Sequence, residues 1–200
     1  MAKKSRAKNT NIVSVICLVL SLLLLVAFFL PTYTTKVGDT TYSYNGVTML
    51  QGASMSKEDY ADLTVKTAGS GISSVLGNDT SKEVKANTQK LQAYNMFHDD
   101  EAGSYKVTVY LNIAMLVAGA ILLVASTLSL LAKKLSMFDL IAGGFAFVVC
   151  LVMMICAGVA AKHFTTSLST TSMGVGVWFG MIGSALALGS QAVGKFLLKK

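Results

Sequence analysis

The chain has 200 residues, of which 53% are hydrophobic and only 14% charged. That balance is too apolar for an ordinary soluble domain and fits a membrane protein carrying one modest aqueous part. The net charge of +7 does not signal nucleic acid, because the basic residues fall in short separate blocks with no patch of interleaved aromatics.

Taken in chain order, residues 1–10 form the first basic block, with Lys3, Lys4, Arg6 and Lys8. Residues 11–30 follow as an apolar run that reaches the ~20 residues needed to cross a bilayer as a helix. The run is longer than a signal-peptide core. Phe28, Phe29, Leu30 and Pro31 offer no small-x-small cleavage site, so the sequence predicts an uncleaved first span.

Residues 31–106 carry seven lysines and nine acids and are too polar to lie in lipid. Their first part reads as strand: 32–37, a Gly38-Asp39 turn, 40–44, an Asn45-Gly46 turn and 47–50. Asn-Gly between β-rich runs is a strong hairpin signal because both residues tolerate positive φ. The expected product is a three-stranded β-meander. Alternation puts Tyr33, Thr35 and Val37 on one face of the first strand, Tyr42 and Tyr44 together on the second, and Val47 and Met49 on the third.

The second part of this segment reads as helix. Ser56 and Asp59 fit a capping box before a helix over 60–66, and Thr80 and Glu83 fit another before 84–97. The Gly/Ser-containing stretch 68–79 reads as a loop. Asn78-Asp79-Thr80 matches a glycosylation acceptor, but it overlaps that cap and reads as chance. His98, Asp99, Asp100 and Glu101 then form the densest acidic cluster. They and His163, at the same end of the spans, are the candidate cation ligands, since hard cations take carboxylate oxygens and histidine binds transition metals or senses pH. The spacing fits no EF-hand, and a solvated acidic turn accounts for the same residues.

The second span is 107–132, followed by a turn at 133–137 with Lys133 and Lys134, and a third span at 138–161. Ser136 and Asp139 fit a capping box at its start. A short loop, 162–173, is nearly all Ser and Thr. Within it, 165–171 has the composition for an edge strand or for a polar turn. The fourth span is 174–197, and residues 198–200 close the chain with Lys199 and Lys200. Four spans place every basic block on one side, which the positive-inside rule makes the cytoplasm. Both termini are then inside and 31–106 outside, with the plasma membrane as the expected location. Lipid headgroups are the expected contacts of the basic blocks.

Inside the spans, Asn112 and Gln191 lie at different depths, while Gln191 shares its leaflet with Ser14. Cys17, Cys150 and Cys156 read as small packing residues. Gly176, Gly180 and Gly183, Ala142 and Ala146, and Ala114 and Ala118 mark helix faces where backbones can approach closely. The fold expectation is therefore an all-α transmembrane four-helix bundle with a small extracytoplasmic α+β domain, a meander plus one or two helices, inserted between the first two spans.

That layout resembles the claudin-like four-span architecture in topology: inside termini, a long first outer loop and a short second one. The resemblance covers the chain in outline only. The claudin loop signature needs Trp, Gly-Leu-Trp and two Cys, whereas 31–106 has neither Trp nor Cys. No functional residue is carried over. The functional expectation is a non-enzymatic membrane protein without cofactor, presenting its outer domain to a protein partner, an envelope component or another copy of itself. Tyr33, Tyr42 and Tyr44 are the candidate contact residues. A channel or transporter subunit acting as an oligomer is the alternative.

Overall fold

The computed structural model describes residues 2–75, 81–132 and 137–197, with the backbone alone at 2–10, 71–75, 81 and 197. Its elements are α1 (Ala2–Ala27), β1 (Pro31–Val37), β2 (Thr40–Asn45), α2 (Gly46–Ser54), α3 (Lys57–Val75), α4 (Ser81–His98), α5 (Gly103–Ala132), α6 (Met137–His163), β3 (Ser169–Met173) and α7 (Val175–Ala192), which continues into a π-turn at Val193–Leu197. Helices α5, α6 and α7 with its extension are long and apolar enough to cross a membrane, so the protein is an integral membrane protein. The apolar part of α1, Asn11–Ala27, is shorter. At 1.5 Å per residue it covers about 26 Å.

The four long helices close into a ring in which α1 packs on α5 and α7, and α6 packs on the same two. Each turns a row of bulky apolar side chains outward, such as Val117, Val124 and Leu128 on α5 and Val148, Val152 and Ile155 on α6. The inward faces carry small residues. Ala118, Ala142 and Ala146 are buried, Ala114 is half-buried, and Gly176, Gly180 and Gly183 line the inner side of α7. Nothing hydrophobic drives helices together in lipid, so close backbone approach through such residues supplies the attraction. The GxxxG pair works within the chain: a Cβ on Gly176 would meet the carbonyl oxygens of Ala27 and Leu30 at 2.8 and 2.9 Å, and one on Gly180 would meet Met115 Sδ at 2.8 Å.

At one end the bundle carries a small cap. Gly38, with φ of +56°, makes the β1–β2 turn, as the sequence predicts. The expected third strand over 47–50 is absent. Asn45 instead caps α2: its Oδ1 accepts from the Thr48 N–H at 2.9 Å and the Thr48 hydroxyl at 3.0 Å. Asn-Gly here starts a helix rather than a hairpin, because the Gly46 N–H is needed by the Phe28 carbonyl (2.9 Å) and a Cβ on Gly46 would strike the Phe28 ring. The third strand is β3, from the short loop between α6 and α7, giving the sheet order β2-β1-β3. The cap is therefore built from both loops and is not an insertion of 31–106 alone.

Helix α3 runs on through the region expected to be a loop, to Val75. The Ser56–Asp59 capping box is present, with the Asp59 N–H donating to Ser56 Oγ at 3.1 Å and the Ser56 N–H to Asp59 Oδ2 at 3.4 Å. Residues 76–80, with the glycosylation triplet and Thr80, and Ser136 of the third-span cap lie outside the described residues. Helix α2 crosses α4 at Gly52, where a Cβ would sit 2.6 Å from the Ala93 backbone. Helices α3 and α4 pair through Tyr60 stacked on Tyr94, ring centroids 4.4 Å apart.

Two glycines test this packing in opposite directions. Gly174 lies against the Pro31 backbone, and a Cβ there would overlap the Pro31 carbonyl. Gly144 faces open space on α6. Gly174→Ala is expected to lose about 1–3 kcal/mol in reversible unfolding in detergent. Gly144→Ala is expected to gain up to about 1 kcal/mol from helix propensity. Equal effects of the two changes would contradict the close approach of Gly174 to the start of β1.

Candidate functional site

The cap holds a cleft of about 260 Å³ between the sheet, α4 and the end of α6. Thr35, Tyr44, Gln92, Asn95, Asp99 and Thr171 supply its polar lining, and Val37, Met96 and Phe164 its apolar lining. Period-two alternation in β1 aims Tyr33 and Thr35 inward. Thr35 then meets Thr171 of β3, hydroxyl to hydroxyl, at 3.0 Å. On β2, Tyr44 is fully buried and its hydroxyl donates to Gln92 Oε1 of α4. Burial pushes the Tyr33 and Tyr44 phenols above their ordinary range, so both stay protonated; the Tyr33 hydroxyl has no hydrogen-bond partner.

Side chains engage part of each sheet edge. On β2, the outward Ser43 carbonyl accepts from Gln89 Nε2 at 2.9 Å. On β3, the Thr165 hydroxyl takes the Thr171 N–H and donates to the Thr171 carbonyl, each at 3.1 Å.

At the cleft rim, Asp99 Oδ2 lies 3.4 Å from His163 Nε2, joining the start of the α4–α5 connection to the end of α6. The Glu101 N–H donates to Asp99 Oδ1 at 2.9 Å. That backbone bond first, and His163 second, hold the Asp99 carboxyl below its ordinary value. His98 turns away: its Nδ1 is 3.0 Å from the Tyr94 carbonyl and its ring stacks on Tyr94 at 4.0 Å. Of the five candidate cation ligands, the structure brings together only Asp99 and His163. Asp100 and Glu101 are exposed, and no group of three His, Cys, Asp or Glu suited to a metal occurs among the described residues.

The candidate contact tyrosines divide. Tyr33 and Tyr44 are buried and pack in the core, Tyr44 with a side on the cleft; Tyr42 is half-buried and keeps some exposure. Tyr33 stacks on Tyr105 of α5 (5.5 Å), and Tyr105 meets Phe164 edge-on (5.6 Å). Asn112, which the sequence gave no specific partner, joins cap to bundle: its Oδ1 accepts from the Thr32 hydroxyl at 3.2 Å.

The opposite end of the bundle carries a second polar feature. Ser129 of α5 donates to Asp139 of α6, and both are buried. Asp139 therefore bonds across the bundle, which the capping reading does not describe. Gln191 of α7 is 2% exposed, its amide lies against Gly143 of α6, and neither of its polar atoms has a hydrogen-bond partner. Ser14 of α1 and Ser126 of α5 are buried, with unpartnered hydroxyls. A buried unpaired polar group costs about 1–3 kcal/mol. The sequence paired Gln191 with Ser14 by depth but did not gather the rest, because a single Ser or Asp near a helix end also reads as packing or capping.

Compared with family models, curated proteins and solved structures, the chain matches none.

Two measurements check this geometry. Tyr44→Phe leaves Gln92 Oε1 without its donor and is expected to destabilise the cap by about 1 kcal/mol in denaturant unfolding; no change would mean that the bond is not made. The Asp99 carboxyl should titrate, by carbon-detected NMR, below the ~3.9 of a free aspartate. A depressed folded pKa gives stability that is present above the unfolded value and lost as pH falls through the folded one. His163→Gln should move the Asp99 midpoint only part of the way back, since the Glu101 N–H remains. A complete return would put the cause in the histidine alone.

Proposed function

We propose that the protein is a non-enzymatic four-span membrane protein whose cap stands outside the cell and receives a protein partner or an envelope component in its cleft, as an accessory subunit of a larger membrane complex. Helix α1 completes the fourth crossing. Its outward residues Ile12, Val15, Val19, Leu22 and Val26 are exposed and apolar, matching the outward faces of α5, α6 and α7. The Phe28–Leu30 turn adds apolar length beyond Ala27. Residues 1–10, 133–134 and 198–200 carry lysine or arginine with no acid among them, whereas the seven lysines of 31–106 are offset by nine acids, and that contrast supports the orientation.

The observation that carries this reading is the open cleft between the sheet, α4 and the end of α6. Its lining of hydroxyls, amides and one carboxylate favours a polar segment or side chain as occupant. The non-enzymatic reading is supported by the two histidines, which are engaged with the Tyr94 carbonyl and with Asp99, not with a hydroxyl or thiol nucleophile. The buried polar layer at the other end favours the second reading, an oligomeric channel or transporter subunit. Ion or solute flux in liposomes reconstituted with the protein separates the two.

Asn95 lines the cleft and is exposed, so Asn95→Arg should block it without disturbing the fold. In gentle detergent, the wild-type protein is expected to co-purify with a defined partner, and Asn95→Arg to recover at least several-fold less of it. A wild-type protein that purifies without any partner, or a partner indifferent to Asn95→Arg, would overturn the cleft-docking reading.

A further inference from the structure

The four-helix ring runs α1 and α6 antiparallel to α5 and α7, so levels can be counted along it at 1.5 Å per residue. Leu24 of α1 sits opposite Gly119 of α5, where a Cβ would meet Leu24 Cβ at 3.2 Å. Ser14 and Ser129 are each ten residues further from the cap, which sets them at one level. Cys17 Sγ lies 3.8 Å from the Ala187 carbonyl of α7. Three residues further on α1 is Ser14, and four further on α7 is Gln191. Asp139 joins through Ser129. Ser14, Ser129, Asp139 and Gln191 therefore form one layer, with one oxygen-bearing side chain from each helix of the ring. Ser126 stands one turn nearer the cap.

All five side chains are at least 97% buried. The missing Cβ of Gly143 makes the room that the Gln191 carbonyl occupies. Helix α7 changes to a π-turn two residues after Gln191, a local widening that recurs at functional positions. Packing alone does not call for this arrangement, since apolar residues at the Ser14, Ser126 and Gln191 positions would leave no unsatisfied atoms in the bundle.

We propose that this layer is a binding site for a small hard monovalent cation of the sodium class, held by the Gln191 carbonyl, the serine hydroxyls and the Asp139 carboxylate. The four side chains of the layer offer oxygen, which suits a hard cation and disfavours soft metals, and the neighbouring Cys17 thiol is turned to the Ala187 carbonyl. Neutral oxygens outnumber carboxylates among them, which suits a cation of low charge. The site is distinct from the cap cleft and independent of which partner the cap receives.

The test is thermal unfolding of the purified full chain in detergent, at constant ionic strength, in sodium, potassium or N-methylglucamine chloride. A ligand that binds only the folded state raises the midpoint with its concentration. The proposal expects a midpoint several degrees higher in sodium than in N-methylglucamine, saturating with sodium concentration. Asp139→Asn and Gln191→Leu should each abolish the difference. Gln191→Leu replaces the unpaired amide with an apolar side chain, so it should fold at least as well as wild type in N-methylglucamine, which keeps the test open if Asp139→Asn does not fold. Equal wild-type midpoints in all three salts would overturn the proposal and leave the layer to water. A sodium effect retained in Gln191→Leu, or a stabilisation that follows pH and not sodium, would overturn it as well.

Discussion

The structure depends on the seam where α1 becomes β1. Helix α1 ends at Ala27, and Pro31, which has no N–H to donate, opens the strand. The carbonyls left over at the helix end find donors in the next corner of the chain: Phe28 receives the Gly46 N–H and Phe29 the Asn45 amide (3.2 Å). The start of β1 is gripped from the other side, since the Gly174 N–H donates to the Thr32 carbonyl at 2.8 Å. The Thr32 hydroxyl reaches Asn112 on α5. One short stretch of backbone thus fixes α1, α2, α5 and α7 relative to one another. Because β1 is the central strand, it also fixes the sheet.

The long apolar runs are legible in the sequence because lipid demands ~20 apolar residues and an internally satisfied backbone. The first β-turn is legible for a local reason, the positive φ at Gly38. Beyond that turn the helices predicted over 60–66 and 84–97 are present within α3 and α4, but the third strand and the Asn45-Gly46 corner were not legible. Asn45-Gly46 suits a hairpin or a helix start equally on local chemistry, and the choice is made by Phe28, seventeen positions earlier in the chain than Asn45. The third strand comes from 169–173, more than a hundred residues from its partner β1, and only its Ser/Thr-rich composition hinted at it. Gly69, the loop signal inside α3, has open space around it and is tolerated within the helix. The tyrosines were found, but alternation alone cannot say which face of a small sheet is covered; α4 and α5 decide that.

Buried polar groups gather at both ends of the bundle. At the cap end several are paired across elements, Thr32 with Asn112, Thr35 with Thr171, Tyr44 with Gln92 and Asp99 with His163, while the Tyr33 and Tyr105 hydroxyls have no partner. Thr35, Thr171, Tyr44, Gln92 and Asp99 of these pairs lie in the cleft walls, so the bonds tie the walls to one another. At the far end, Ser129 bonds Asp139, and Ser14, Ser126 and Gln191 have buried atoms without a partner. In the proposed arrangement, the outer end recognises and the inner end responds to a small ion. Both ends were visible in the sequence only as scattered residues, because each is assembled from segments far apart in the chain.

The central claim is that one sheet closes over both loops and is clamped to the bundle through β1. The most direct measurement is oxidative cross-linking of Thr34→Cys with Ser172→Cys, which face each other across β1 and β3, in a chain whose three native cysteines are replaced by alanine. In the membrane, mild oxidation should join the pair quantitatively, while Thr34→Cys with a cysteine at Asp39 should stay reduced. Free thiols at both 34 and 172 under the same oxidant would show that the two loops do not share a sheet.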